Sequence, residues 1–356
     1  MELIVLDTSL KMLSVLDTFE SLIWTERYSA YGDFEVYTNI NDSILEILKD
    51  DYYLWLKESD QTMIVEDRKI ESYAENGNHL TVTGRSLESI LERRIIWKQT
   101  ILSGNFQNGI KKLLDENIIN PSDSSRKVER LIFEASTDPA ITGLTVDAQF
   151  TGDNLYDAIK KLCDSKNIGF RIKLSDDNKF VFKLYAGADR SYDQFTNPYV
   201  IFSPKFENVI NTNYLESKKT LKTVTLVAGE GEGADRKTTT VACSSGAGTG
   251  LNRRELYTDA RDVSSTVDNE TLTDSEYKAQ LSQRGLENLS ENIETKSFEG
   301  KVETTRMYRY GEDFFLGDMI QIVNEYGIEG KARVTEFIHS QSKEGLDSYP
   351  TFVTVE

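Results

Sequence analysis

The sequence predicts an α+β chain that is mainly β, with a β-barrel or sandwich at each end and smaller modules inserted between. Three observations predict it. Short runs rich in β-branched and aromatic residues recur between turn signals such as Asp7-Thr8-Ser9 and Asn76-Gly77. Apolar residues at helical spacing are confined to a few stretches. The two ends also echo one another: Tyr53 to Gly84 reads strand, turn, strand, hairpin, strand, as does Met319 to Val355, and MIVEDRKI from Met63 lies against KARVTEFI from Lys331 with negligible identity.

The first 97 residues open with strands over Leu3–Leu6, Lys11–Leu16 and Ser21–Thr25. The last leads into Trp24 to Tyr37, WTERYSAYGDFEVY, two aromatic strands about Gly32. Asn41 or Asp42 caps a short helix whose residues Ile44, Leu45, Ile47 and Leu48 face a core. Strands over Tyr52–Lys57, Thr62–Ser72 and His79–Gly84 follow, the last two joined across Glu75 to Asn78, and a helix from Ser86 carries Leu87, Ile90, Leu91 and Ile95 on one side.

Residues 98–190 read as a small α/β module. A helix over Asn105–Ile118 ends before the breaker Asn120 to Ser125; a second runs through Leu155, Ile159, Leu162 and Cys163; strands Phe170–Leu174 and Lys179–Tyr185 close it. A second β-domain takes residues 191–228 and 296–356, with strands over Val200–Phe202, Phe206–Tyr214, Leu221–Ala228, Thr295–Tyr308, Met319–Asn324, Gly330–His339 and Thr351–Val355. Between its parts, 229–295 is an insertion. Its Gly229-Glu230-Gly231-Glu232-Gly233 follows a strand but runs into another strand, not a helix, and two glutamates repel a phosphate, so a hairpin is expected in place of a phosphate loop. Ser244 to Gly250 reads as an exposed loop, and Thr273 with Glu276 forms a capping box before a helix to Asn292.

Composition narrows the function. With 38% hydrophobic and 28% charged residues the chain is globular in character, and 41 basic against 59 acidic residues leave a net charge of -18, which offers no grip on nucleic acid or an anionic membrane. Met1 to Leu6 is too short for a signal peptide or a membrane span, so synthesis in the cytoplasm is expected. Cys163 and Cys243 have no CxxC partner, and no calcium-type loop is present, so neither a metal nor a cofactor is expected. His79 and His339 are the only histidines and are expected at the surface, which makes a Ser-His-Asp or Cys-His catalyst improbable. The alternative is a glycan-binding adhesin, which Trp24, Trp55, Trp97 and 17 tyrosines could serve, or a cell-wall glycoside hydrolase, for which 59 acidic residues are available but no pair stands out.

Seven segments in this order carry a resemblance: WTERYSAYGDFEVY, LTVTGRSLESILERRII from Leu80, QFTGDNLYDAIKKLCDSKNIGFRI from Gln149, IFSPKFENV from Ile201, LVAGEGEG from Leu226, GLNRRELYTDARDVSS from Gly250 and YGEDFFLGD from Tyr310. Together they resemble the tail-hub proteins of long-tailed siphophages, a family that includes the N-terminal part of tail-associated lysins. The resemblance implies a baseplate-hub-like fold with two tube-like β-barrels and two inserted modules. It implies a homotrimeric, pseudo-six-fold ring at the virion tail tip that closes the tail tube, meets the distal tail ring, the tape-measure protein and receptor-binding proteins, and opens for DNA ejection. No lytic extension follows Glu356, so no enzymatic activity is expected. Under this resemblance Glu26, Arg27, Asp33 and Glu35 become candidate contacts at a subunit or ring interface, and simple packing of Trp24, Tyr28 and Phe34 is the competing account of the same stretch.

Overall fold

The computed structural model describes residues 1–73, 77–267, 270–302, 307–327 and 329–355. Strand accounts for 41% of the chain and helix for 21%, so the mainly β expectation holds.

The first half contains β1 (Leu3–Leu6), β2 (Met12–Leu16), β3 (Ser21–Arg27), β4 (Asp33–Asn39), helix α1 (Asp42–Ile47), β5 (Tyr53–Leu56), β6 (Thr62–Tyr73) and β7 (Gly77–Ser86). Asn41 caps α1 by accepting from the Ile44 amide, as its side chain suits it to do. β6 pairs with β7 as far as Tyr73↔Gly77; residues 74–76 of the expected turn lie outside those described. Leu87–Arg93 forms a 3-10 helix, shorter than the expected helix, and leaves Ile95 43% exposed while Ile96 turns into the core.

The inserted module holds β8 (Thr100–Asn105), α2 (Phe106–Leu114), β9 (Leu131–Glu134), α3 (Pro139–Thr142), β10 (Thr145–Phe150), α4 (Leu155–Ser165), β11 (Gly169–Leu174) and β12 (Phe180–Tyr185). A wider π turn at Asp115–Ile119 continues α2 to the expected end. Cys163 is buried among apolar neighbours, as its helical spacing implies.

The second half begins with β13 (Ile201–Phe202) and β14 (Val209–Ser217). A second insertion follows, with β15 (Val224–Ala228), β16 (Thr238–Ala242), β17 (Glu255–Asp259), β18 (Thr266–Val267), β19 (Glu270–Thr271) and α5 (Asp274–Ser290). β15 and β16 pair antiparallel on either side of the glycine-rich segment, so that segment is the turn of a hairpin. The Thr273–Glu276 capping box of α5 is formed. The half then closes with β20 (Thr295–Val302), β21 (Met319–Val323), β22 (Glu329–Ser342) and β23 (Gly345–Val355); residues 303–306 of the expected strand to Tyr308 lie outside those described.

Both halves share one 13-stranded sheet, ordered β14-β20-β23-β22-β3-β4-β7-β6-β5-β1-β2, with β21 beside β22 and β13 beside β21. Among the described residues the path is open, so in place of the two closed β-barrels expected there are two β halves with separate cores, joined at β3·β22. β15 belongs to a separate three-stranded sheet with β16 and β17.

The halves repeat one topology. β5-β6-β7 and β21-β22-β23 are both antiparallel meanders. The long central strand of each has a one-residue bulge, at Glu66 between Val65 and Asp67 and at Thr335 between Val334 and Glu336. The bulges align Val65 with Val334, one residue away from the alignment that the sequences suggest. Pairing of β4 on β7 and of β20 on β23 then matches Phe34 with Phe298, and the β3·β4 and β14·β20 registers match Trp24 with Tyr214 and Glu26 with Glu216. The second insertion thus occupies the place of the tight β3–β4 turn.

Candidate functional site

The stretch with the candidate contacts lies where the halves meet. β3 pairs with β4 on one edge and with β22 on the other, with Arg27 opposite Glu336, Glu26 opposite Phe337 and Trp24 opposite His339. Strand alternation divides the side chains. Trp24 is fully buried, packs against Phe34 at 5.9 Å and donates from Nε1 to Ser59 Oγ at 3.2 Å. Tyr28 is buried in the second core and its hydroxyl donates to the Asn167 carbonyl at 3.1 Å.

Glu26 shares the inward parity of Trp24 and is only 3% exposed. The Tyr310 hydroxyl donates to Glu26 Oε2 at 2.8 Å, and the Tyr310 ring stacks on Phe337 at 3.8 Å. Burial, followed by the Glu26 carboxylate, pushes the Tyr310 hydroxyl well above its usual pKa. Glu26 Oε1 lies 3.4 Å from His339 Nε2, and neither atom has a hydrogen-bond partner. Burial of both histidines corrects the surface expectation. His339 faces inward because Phe337 and His339 share the core side of β22, and His79 stacks on Tyr37 with Nε2 3.2 Å from Glu20.

Arg27, Asp33 and Glu35 emerge on the opposite face. Arg27 donates to Glu336 at 2.6 Å, to the Tyr31 carbonyl at 3.2 Å and to Asp33. Desolvation pulls its pKa down, but the bonds to Glu336 and Asp33 outweigh that and hold it above the ordinary value. Asp33 and Glu35 line a shallow depression with Ile23, Glu66, Asp67 and Arg85. There Arg85 binds Glu66 at 2.6 Å and Glu92 at 2.5 Å; the Glu66 bond is the first cause that raises its pKa. The four candidate residues therefore form two sets: an exposed, partly neutralised acidic face and a single buried carboxylate. Alternation counted from Trp24 already placed Glu26 inside.

Chemically, this arrangement joins and packs. Among the described residues no group of three or more His, Cys, Asp or Glu is placed to hold a metal ion, and no helix is long and apolar enough to cross a membrane. Sequence reasoning missed the bare edge of β6. There β5 covers only Thr62–Ile64, and beyond Ile64 no described strand lies on that edge.

The family model described as "Siphovirus ReqiPepy6 Gp37-like protein" matches residues 2–352. Among curated proteins none matches the sequence. Among solved structures, the chain is similar to the prophage tail protein gp18 from Listeria monocytogenes EGD-e at 13% identity and a TM-score of 0.60, covering 100% of this chain and 95% of that one. It is similar to the prophage MuSo2 43 kDa tail protein from Shewanella oneidensis at 12% identity and TM-score 0.60, covering 99% and 98%. It is also similar to a tail protein from Neisseria meningitidis MC58 at 11% identity and TM-score 0.58, covering 100% and 96%. At these identities the likeness is one of fold.

Proposed function

The chain belongs to the family described as Siphovirus ReqiPepy6 Gp37-like protein and is a phage tail protein of siphovirus type, a component of the virion; from this we propose that it is the baseplate hub at the tail tip. Three copies form a ring that closes the tail tube, seats on the distal tail ring, contacts the tape-measure protein and receptor-binding proteins, and opens for DNA ejection. The observation that supports this reading is the repetition inside the chain. Two β halves of one topology per chain make a three-chain ring match a six-fold partner. In such a ring residues 1–97, and 191–228 with 296–356, supply the tube, with β15 going with the insertion, and 98–190 and 229–295 are the modules hung on it. The walls that stay open within one chain are completed between chains.

A hub needs no catalytic group, and its role is non-enzymatic; its work is done by large permanent interfaces. Asp33 and Glu35, with Arg27 beside them, present a surface for a neighbouring ring, whereas Glu26 acts by holding the two halves together. A net charge of -18 suits a tube wall that lets DNA pass without sticking.

Sedimentation or native mass measurement of the purified chain, alone and mixed with its distal tail protein, tests the reading. A three-chain particle is expected in at least the mixture. A single chain under both conditions overturns it, and glycan binding by that single chain would instead favour an adhesin.

A further inference from the structure

We propose that the chain binds a second copy of itself by strand addition, the free edge of β14 in one chain pairing antiparallel with the bare half of β6 in the next. This deepens the ring reading and rests on it.

The junction inside the chain is the template. The N-terminal part of β22 is covered by β21 through Glu329–Arg333, and past the bulge at Thr335 the same edge is covered by β3 through Glu336–Gln341. The bulge carbonyl of Thr335 accepts from the Tyr28 amide at 2.9 Å, so the kink that releases β21 also admits β3. β6 is built alike. β5 covers Thr62–Ile64, the bulge sits at Glu66, and past it the edge has no strand among the described residues. The strand that would fill it is the counterpart of β3. That counterpart is β14, which among the described strands pairs with β20 and ends the sheet path, with no described strand on its other edge. One chain therefore holds one filled junction and the two separate parts of a second, and a heterologous contact of this kind closes into a ring.

Transferring the β3·β22 register gives the pairs. Glu336↔Arg27 becomes Asp67↔Ser217, Phe337↔Glu26 becomes Arg68↔Glu216, Ile338↔Thr25 becomes Lys69↔Leu215 and His339↔Trp24 becomes Ile70↔Tyr214. The chemistry agrees with this transfer. Arg68, whose Nη2 donates to the Leu45 carbonyl at 3.1 Å and whose Nε has no partner, meets a carboxylate. Ile70 is 56% exposed and Leu215 49% exposed, apolar side chains on the two edges that the pairing would cover. An edge that exposes such residues invites pairing with another chain. Among the described strands β2 also ends the sheet and exposes Met12, Leu13 and Val15, but no junction inside the chain supplies a template for joining it to β14.

Paired cysteines test the register. In a Cys243→Ser background, one chain has Lys69→Cys and the other Leu215→Cys; both positions are exposed, so folding is retained. Directly opposed strand residues lie within disulfide reach, about 4.5–5.5 Å between Cα atoms. Oxidising the mixture is expected to give a disulfide dimer that neither chain gives alone. In parallel, Arg68→Glu or Glu216→Arg is expected to weaken association about tenfold or more, and combining them to restore it. A multi-chain particle with no 69–215 cross-link and no response to charge reversal overturns the strand pairing while leaving the ring. A chain that stays single at the highest soluble concentration and with its distal tail protein overturns both.

Discussion

β22 and β6 are the same strand in two circumstances. Both are long, both have one bulged residue after a valine, and both lie between a short strand and a hairpin partner. Past the bulge, β22 is sealed by β3 and its inward residues Phe337 and His339 are buried. The matching residues of β6, Arg68 and Ile70, are half-buried and exposed. The bulge thus works as a port, a place where one edge strand ends and another is received. What the chain does with a port depends on whether its own sequence supplies the strand.

Substitutions at equivalent positions break or sharpen this comparison. Phe337→Ala removes a buried ring that stacks on Tyr310 and contacts His339, and is expected to cost the isolated chain about 3–5 kcal/mol. Arg68→Ala at the matching position is expected to cost less than about 1 kcal/mol in the same chain, because only one backbone contact and no core packing is lost. Denaturant titration of both variants measures the difference; equal losses would mean that the two ports are equally closed in the single chain.

Much of this was legible in the residues and some was not. The alternation in WTERYSAYGDFEVY, the cap at Asn41, the capping box at Thr273 and the helical spacing around Cys163 are local signals, and the structure follows them. The echo between the ends was visible only as a pattern of elements, since its register depends on bulges at Glu66 and Thr335 that no residue type announces. Closed β-barrels did not follow from strand counts, because closure depends on which edges meet, and here the β3 edge meets β22 instead of its own half. β8, β9, β10 and β17 were missed because each is short and lies beside stronger turn or helix signals. Glu26 stands with Arg27, Asp33 and Glu35 among the candidate interface contacts; counting by twos from Trp24 separates it from them.

The halves differ also at the β3–β4 turn and its counterpart between β14 and β20. β3 and β4 are joined directly, whereas β14 and β20 are separated by the insertion whose α5 packs against β15, β16 and α4. Glu287 on α5 is 1% exposed, 3.6 Å from Arg284 Nε and 3.2 Å from Gln283 Nε2, which donates to it. Burial, opposed by Arg284, pushes its carboxyl up to about 7. Its folded pKa lies above the unfolded value of about 4.3, so the folded chain binds the extra proton. That contribution is complete below about pH 4.3 and is lost as pH rises through about 7, on the order of 3 kcal/mol in all. Glu287→Gln is therefore expected to gain stability relative to the natural chain between about pH 5 and pH 8, read as the shift in denaturant midpoint. A constant difference across that range would show that the insertion is not anchored through a protonated Glu287.

A small effect is also expected at Arg27, and it separates the filled port from the bare one most finely. Arg27 bridges Glu336 and Asp33 with side chains that are 27%, 29% and 45% exposed, so solvent screens much of the attraction. Arg27→Ala is expected to cost about 0.5–1 kcal/mol, Glu336→Gln less because Arg27 keeps Asp33, and the double variant little more than Arg27→Ala alone, since the bridge lost with Glu336 is already gone. At β6 the matching pair is Asp67 and Ser217, with no cation to bridge, so the chain-to-chain junction would have its charge pair one residue further along, at Arg68 and Glu216. A double-mutant cycle on Arg27 and Glu336 that reports no coupling would show that the inner junction is held by Trp24, Glu26, Tyr310 and Phe337 alone. The bare edge of β6, whose Arg68 stands in the place of Phe337, would then need its charge pair more than the filled edge needs its own.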